Sequence, residues 1–347
     1  MRIRIVCYED TKEWIVGKFA IRLCEHLQQA GVRADISKVP EPAADINHHL
    51  LYGGYDGKRN SIDTMMITHI DHPGKVSQLA YQLLTAKMGI CMSSDTMHML
   101  TRQALPRGRL CFVNPAHDGV MKPRKLLVGI TSKVQPGGCK REDMLGQLAN
   151  HISNADFRFS IMGAGWDVIV EAMRSHGIEV DYCDHFDRNA YERLIPNLDY
   201  YLYFGKDEGS MGFLDALAAG VTTIVTPQGF HLDTEGGIVH SFDELDELVK
   251  VFDSIAEKRG RLVKAVETWT WSEYARKHLV IWRYLLARDS GQTVPAELKG
   301  ELRSLGVALN RTAAGLQTLA YRVLRKGNRV VAKIKCRIGS QTPNLKN

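Results

Sequence analysis

DYYLYFGKDEGSMGFLDALAAGVTTIVTP, residues 199–227, is the stretch on which the fold turns. An apolar strand (199–204) runs into a loop containing glycine, a helix begins near Met211, and a second strand, VTTIV (221–225), follows. Strand, loop, helix and strand in this order argue for a parallel sheet covered by helices. Such sheets place ligands outside the carboxyl ends of their strands. The loop amides at the helix start, around Gly209, Ser210, Met211 and Gly212, form an anion-friendly site, because unpaired N–H groups and the helix dipole point the same way. Asp207 and Asp215 are eight residues apart, one before the helix and one in its second turn, placed to accept hydrogen bonds from sugar or ribose hydroxyls. The same residues also read as an ordinary strand–helix turn with surface acids, and taken alone the segment leaves both readings open.

The rhythm extends in both directions. Upstream, KLLVGI (125–130), FRFSIMG (157–163) and IEVDYC (178–183) read as strands with helical segments between them. A Pro/Gly/Asp cluster at 114–125 interrupts the pattern and reads as a linker. Before it, IRIVC (3–7), MMITHI (65–70) and MGICM (88–92) are further strands, and Trp14 to Gln29 has helical spacing closed by Gly31. Two successive α/β units joined by a short linker predict a cleft between domains, where ligand sites are favoured. The expected division is 1–118, 119–290 and a tail from 291 to 347.

Composition is that of a soluble globular chain: 347 residues, 44% hydrophobic and 24% charged, which excludes collagen-like and disordered classes. No apolar run approaches the ~20 residues of a spanning helix, and the start lacks a signal-peptide pattern, so a cytoplasmic location is expected. Seven scattered cysteines without a C-x-x-C pair predict reduced thiols. From Lys299 onward eleven basic residues face one acid, Glu301, so the tail carries +10 and the remainder of the +6 chain −4. Leu302, Leu305, Leu309, Thr312, Leu316, Leu319 and Val323 make a stripe along it, which predicts an amphipathic helix suited to an anionic membrane surface, with packing on a partner or on the chain's own body as the alternative. Nucleic acid is not expected to be a partner, because phosphate binding needs no apolar stripe.

A second segment, VGITSKVQPGGCKREDML (128–145), repeats strand, Gly/Pro loop and helix and carries Lys133 and Lys140. Two ammonium groups there suit a diphosphate, although solvated loop lysines are the plainer reading. The turn IMGAGWD (161–167) lacks the full G-x-G-x-x-G spacing of a phosphate loop. His69, Asp71 and His72 form an H-x-D-H run; on a strand its members would point to opposite faces, which disfavours a metal. Asp71 is also a candidate to bind or deprotonate an acceptor hydroxyl. Trp269, Trp271 and Trp282 read as packing anchors.

Together these segments resemble the C-terminal half of retaining GT-B glycosyltransferases of the family-four type. The resemblance implies two Rossmann-like domains facing across a cleft, and transfer of a sugar from a nucleotide-diphosphate donor to an acceptor hydroxyl with retention. Lys133 and Lys140 stand at the family's diphosphate-binding places, with Lys replacing Arg at 133. Asp207 and Asp215 match its paired acids, the first toward the transferred sugar and the second toward the nucleotide ribose. In the N-terminal half, residues 13–31 resemble the first loop and helix, with Gly17 close to donor and acceptor. TMMITHIDHPG (64–74) resembles the histidine motif, with His69 beside the sugar, and Asp118 fits the acid of the interdomain turn. The resemblance implies catalytic roles for His69, Lys133, Lys140 and Asp207, no cofactor and no required metal. Its implied acceptor is a glycan or a lipid-linked glycan of cell-surface polysaccharide or glycolipid synthesis, reached from the inner membrane face. A GT-B nucleotide-sugar epimerase or phosphorylase, and a non-catalytic GT-B scaffold, are the alternatives.

Overall fold

A computed structural model describes residues 1–58, 60–135 and 137–309. The chain divides into two units, residues 1–120 with the segment from Thr268 onward, and Met121–Glu267.

The first unit opens with β1 (Arg2–Val6), α1 (Ile15–Gln29), β2 (Arg33–Ser37), β3 (Ile46–His49), β4 (Ile62–Ile67), α2 (Pro73–Gln82), β5 (Met88–Cys91), α3 (Ser94–Arg102) and β6 (Leu110–Phe112). All six strands are parallel, in the order β2-β1-β3-β4-β5-β6. Helix α1 buries Phe19, Ala20, Leu23 and Leu27 along one stripe, and Gly31 ends it with φ of 76°, a conformation that suits glycine.

The second unit contains β7 (Leu126–Ile130), α4 (Asp143–Leu148), β8 (Phe157–Met162), α5 (Asp167–Ser175), β9 (Glu179–Cys183), α6 (Arg188–Leu194), β10 (Tyr200–Tyr203), α7 (Met211–Ala218), β11 (Thr222–Val225), β12 (His240–Ser241) and α8 (Leu245–Lys264). Its strands are also parallel, in the order β12-β11-β10-β7-β8-β9. Read from the other edge this is the 3-2-1-4-5-6 order of a doubly wound nucleotide-binding sheet, which reverses direction between β7 and β10. Phe157, Phe159, Trp166 and Phe252 fill its larger core.

The expected domain boundary near 290 is corrected. Helix α9 (Trp271–Asp289) and α10 (Ala296–Ser304) belong to the first unit. Helix α9 buries ten residues, and Trp271, Tyr274 and Trp282 enter the core that α1 and β1 build. Phe19 meets Trp271 and Tyr274 edge-on, at 5.1 and 5.7 Å between ring centres. The first part of the tail packs on the chain's own body and not as one continuous helix: α10 stops at Ser304, Leu302 and Leu305 are buried in that core, and the Leu305 carbonyl accepts from the Phe112 amide. The tail from residue 310 on lies outside the described residues. The linker start is fixed within the first unit, where Asp118 accepts from Trp271 Nε1 at 2.8 Å and pairs with Lys18.

Burial also fixes charge states. His278 lies in the core against His48 and Trp282, donates through Nδ1 to the Tyr274 carbonyl at 2.8 Å, and has no partner at Nε2 among the described residues. Loss of hydration there holds the ring neutral, with a pKa pushed down to about 4, and His48 is depressed for the same reason. Unfolding restores ordinary histidines that bind protons more readily. Stability is therefore expected to fall as pH drops from about 6.5 toward 4, seen as a falling urea midpoint, with a shallower fall in His278→Gln. Equal pH slopes in the two proteins would contradict this.

Candidate functional site

The carboxyl ends of β7 and β10 lie side by side where the strand order reverses, and one loop leaves each of them: 131–142 toward α4 and 204–210 toward α7. Lys140, from the first loop, donates to Tyr203 Oη at 2.6 Å and to Asp207 Oδ2 at 2.5 Å. The Tyr203 hydroxyl also donates to Asp207, at 2.7 Å, and the Gly209 amide donates to Asp207 Oδ1 at 3.0 Å. These are residues that the sequence put on separate segments and the fold brings together. An ammonium has three N–H donors, so one remains on Lys140 after those two bonds.

Backbone contacts aim this lysine. The Lys206 amide donates to the Cys139 carbonyl at 2.7 Å, and Arg141, in a left-handed conformation at φ 47°, ties down the carbonyls of Phe204 and Asp243. Burial by itself would raise the Asp207 pKa. The bonds from Lys140, Tyr203 and the Gly209 amide outweigh it and hold the carboxyl below the usual range. Burial and then the Asp207 carboxylate push the Tyr203 phenol up, so it stays a neutral donor. The arrangement is a charged pair held in partial burial, able to offer positive charge to a phosphate and carboxylate oxygens to hydroxyls.

A second set lies alongside. Thr131 Oγ1 and Ser210 Oγ both meet Tyr201 Oη, at 3.0 and 2.6 Å. Tyr191 of α6 donates to Asp215 of α7 at 2.5 Å, beside a surface cavity of about 580 Å³ lined by Phe186, Arg188, Ile195 and Ala218. Because the Ser210 hydroxyl is turned to Tyr201, α7 begins without a side-chain cap. Its first two residues, Met211 and Gly212, thus start the helix at the positive end of its dipole.

Not every expected loop amide is available to a ligand. Gly209's amide is used by Asp207, and Ser210's donates to His231 Nε2 at 2.9 Å. His231 is buried and neutral; burial lowers its pKa, and Nδ1 donates to the Thr226 carbonyl at 3.2 Å. Lys133 is exposed on the 131–142 loop and makes no ion pair among the described residues.

In the first unit, Gly17 lies in the first turn of α1, where a Cβ would overlap the Thr11 backbone, so the β1–α1 loop presses directly on the helix. His69 is not on a strand, contrary to the expected strand over 65–70. It is exposed two residues past the end of β4, with its carbonyl held by Tyr52 Oη at 2.8 Å. Asp71 pairs with Lys75 at 2.8 Å. Among the described residues no group of three or more His, Cys, Asp or Glu is placed to hold a metal ion, and no helix is long and apolar enough to cross a membrane.

No family model and no curated protein matches the chain. Solved structures similar to it include a lipopolysaccharide outer core galactosyltransferase, WaaB, at 12% identity and a TM-score of 0.34, covering 80% of this chain and 97% of that one. The sucrose-phosphate synthase of Thermosynechococcus elongatus is similar at 11% and 0.35, over 83% of this chain and all of that one. HepE of Anabaena, in complex with UDP and glucose, is similar at 12% and 0.32, over 84% and 99%. At these identities and scores the likenesses do not assign a function, which is argued from the residues.

The residues missed by sequence reading are mostly hydroxyl-bearing: Tyr201, Tyr203, Tyr191, Thr131 and, behind the loop, His231. A signal for two of them was present in DYYLYF. Tyrosines at 201 and 203 share one face of a buried strand, and a buried phenol needs a partner.

The glycines serve packing. A Cβ at Gly212 would overlap Thr131 Oγ1 and Tyr201 Oη, and one at Gly163 would overlap the Ser132 carbonyl. The Gly163 turn thus closes on the β7 loop, whose Ser132 carbonyl also accepts from Trp166 Nε1 at 2.6 Å. Gly212→Ala is expected to destabilise by about 1–3 kcal/mol, as overpacking does, measured by urea denaturation. Tyr203→Phe, which keeps the ring and deletes the bridging hydroxyl, should cost about 1 kcal/mol. A Gly212→Ala variant as stable as the wild type would show that the strand end has slack.

Proposed function

We propose that this chain is a GT-B glycosyltransferase that binds a nucleotide-diphosphate sugar on its second unit and transfers the sugar, with retention, to an acceptor hydroxyl. The observation that carries the proposal is the Lys140–Tyr203–Asp207 cluster at the reversal of a 3-2-1-4-5-6 parallel sheet. It combines a cation, a carboxylate and an uncapped helix start where such sheets receive nucleotides.

The mechanism follows from charge. As the bond from the anomeric carbon to the phosphate breaks, negative charge grows on the departing diphosphate. Lys140 and the first amides of α7 are assigned to meet it, with Lys133 on the same loop as a second cation. Fixed positive groups of this kind do the work of a divalent ion, so no metal enters the proposal. Asp207 is assigned to hydroxyls of the transferred sugar, and Asp215, oriented by Tyr191, to the ribose hydroxyls. The acceptor is taken to be a glycan, free or lipid-linked, of a cell-surface polymer.

The test is thermal melting against UDP-, GDP-, ADP-, dTDP- and CMP-sugars without added metal. One nucleotide class at about 100 times its Kd should stabilise the fold by roughly 2.7 kcal/mol. Lys140→Met should abolish that stabilisation and lower acceptor-dependent nucleotide release by about 100-fold or more. Wild-type turnover in Lys140→Met would sink the proposal. Nucleotide release without any acceptor glycan would favour an epimerase or phosphorylase instead, and silence across the panel a binding scaffold.

A further inference from the structure

The acid-bearing loop of the second unit, residues 204–210, is bonded along its length to the turn that follows β11, residues 226–231. The Gly205 carbonyl accepts from Thr226 Oγ1 at 2.8 Å and from the Gln228 side-chain amide. Gln228 Oε1 in turn accepts from the Asp207 amide at 2.9 Å. The Phe230 amide donates to the Glu208 carbonyl at 3.1 Å, and a Cβ at Gly229, where φ is 43°, would overlap that same oxygen. The last tie is the bond from the Ser210 amide to His231 Nε2 at 2.9 Å. Of these bonds it is the one that a proton can undo, because its acceptor is an imidazole nitrogen.

The two partners of the ring fix its state by geometry. A backbone amide only donates, so Nε2 is the acceptor; a carbonyl only accepts, so Nδ1, 3.2 Å from the Thr226 oxygen, carries the hydrogen. His231 is therefore neutral with its proton on Nδ1. The ring is fully buried, against Phe213 at 4.1 Å between ring centres, with Phe230 and Tyr203 edge-on at 5.4 and 5.5 Å. The Tyr203 phenol is neutral, and the charged group that acts on the ring is Asp207, itself paired with Lys140. Burial disfavours the imidazolium more strongly than the Thr226 carbonyl and Asp207 favour it, so the ring's pKa is lowered. A second proton would have to sit on Nε2 and would set one N–H against the other. The Ser210 amide, at the start of α7, would lose its acceptor.

We propose that His231 is a positioning residue for the donor site: by accepting from the Ser210 amide it holds the 204–210 loop and the start of α7 in the shape that receives the donor, and protonation releases them. This rests on the nucleotide-sugar reading. Donor binding is then linked to a single proton. Neutral His231 supports binding and the imidazolium does not, so Kd rises about tenfold per pH unit below the pKa of the ring.

The experiment uses the full-length chain and the nucleotide sugar that stabilises it in the melting panel. Donor Kd is measured by calorimetry from neutral pH down to about pH 5, and nitrogen-15 histidine spectra follow His231 in the same buffers. His231 should be neutral with its proton on Nδ1 at neutral pH, and Kd should stay flat until the ring titrates. His231→Gln offers Oε1 to the Ser210 amide and takes up no proton; it is expected to hold the neutral-pH Kd within about threefold and to lose the acid limb. His231→Phe keeps the ring packing and removes the acceptor. Its donor affinity should fall about tenfold at neutral pH, and exchange of the Ser210 amide should quicken by a similar factor. A His231 proton on Nε2 overturns the support whatever the ligand. An acid limb that does not track the His231 titration, or that persists in His231→Gln, overturns the role and leaves the transferase reading standing. Wild-type affinity in a folded His231→Phe does the same; should that variant not fold, the pH series of wild type against His231→Gln decides. A wild-type protein that no nucleotide sugar stabilises overturns the transferase reading and, with it, this role.

Discussion

Two loops leave neighbouring strands of the second unit toward different helices, and the polar groups at the strand ends have to be satisfied in the gap between them. That requirement shapes the site. Tyr201 and Tyr203 bring their hydroxyls to the end of β10, where burial demands partners for both. Thr131 and Ser210 serve one, Lys140 and Asp207 the other. The bonds stay short because Gly212 has no side chain to hold α7 away from Tyr201. Removing water from Asp207 is costly, and the bonds from Lys140, the Tyr203 phenol and the Gly209 amide hold its carboxyl ionised against that cost.

The same physics operates in the first unit with a different result. β3 reads INHH and is buried along its length, which would be prohibitive for isolated polar groups. Asn47 bonds the Glu41 carbonyl and Ser61, His48 meets Thr64, and His49 meets Asp63 and Tyr8. Each side chain finds a partner on a neighbouring strand or loop, with His48 Nε2 left without one among the described residues, so the strand survives in the middle of a sheet. What begins as a need for hydrogen-bond partners leaves an ordered chain, Asp63, His49 and Tyr8, that reaches the carboxyl edge of the sheet. The neutral histidines behind it, His48 and His278, are the cost of closing that core.

Much of this was readable beforehand, and the failures have physical causes. Strands β1, β5, β7, β8, β9, β10 and β11 follow from short apolar runs, and α1 from helical spacing closed by Gly31. β3 escaped because its polar letters carry no apolar signal; their partners are far away in sequence. His69 lies inside the run MMITHI, which reads as a strand through residue 70, while the chain leaves the sheet after Ile67. The leucines at 302 and 305 looked like the start of an exposed stripe. They are buried because α9 carries them to the first core, a contact set by the return of the chain and not by local periodicity.

The sequence by itself determined the alternation of strands and helices, the two α/β repeats, and the residue types gathered near the strand ends: Lys140, Asp207, Asp215 and the glycines around them. These are local properties, written in apolar spacing and in the backbone freedom of glycine. Which strands become neighbours was decided only by tertiary structure, because strand order is set by packing helices on both faces of a sheet. That order puts Lys140 against Asp207 across 67 residues. It also lines up Tyr8, His49 and Asp63, whose separations in sequence carry no sign that they share one hydrogen-bonded chain.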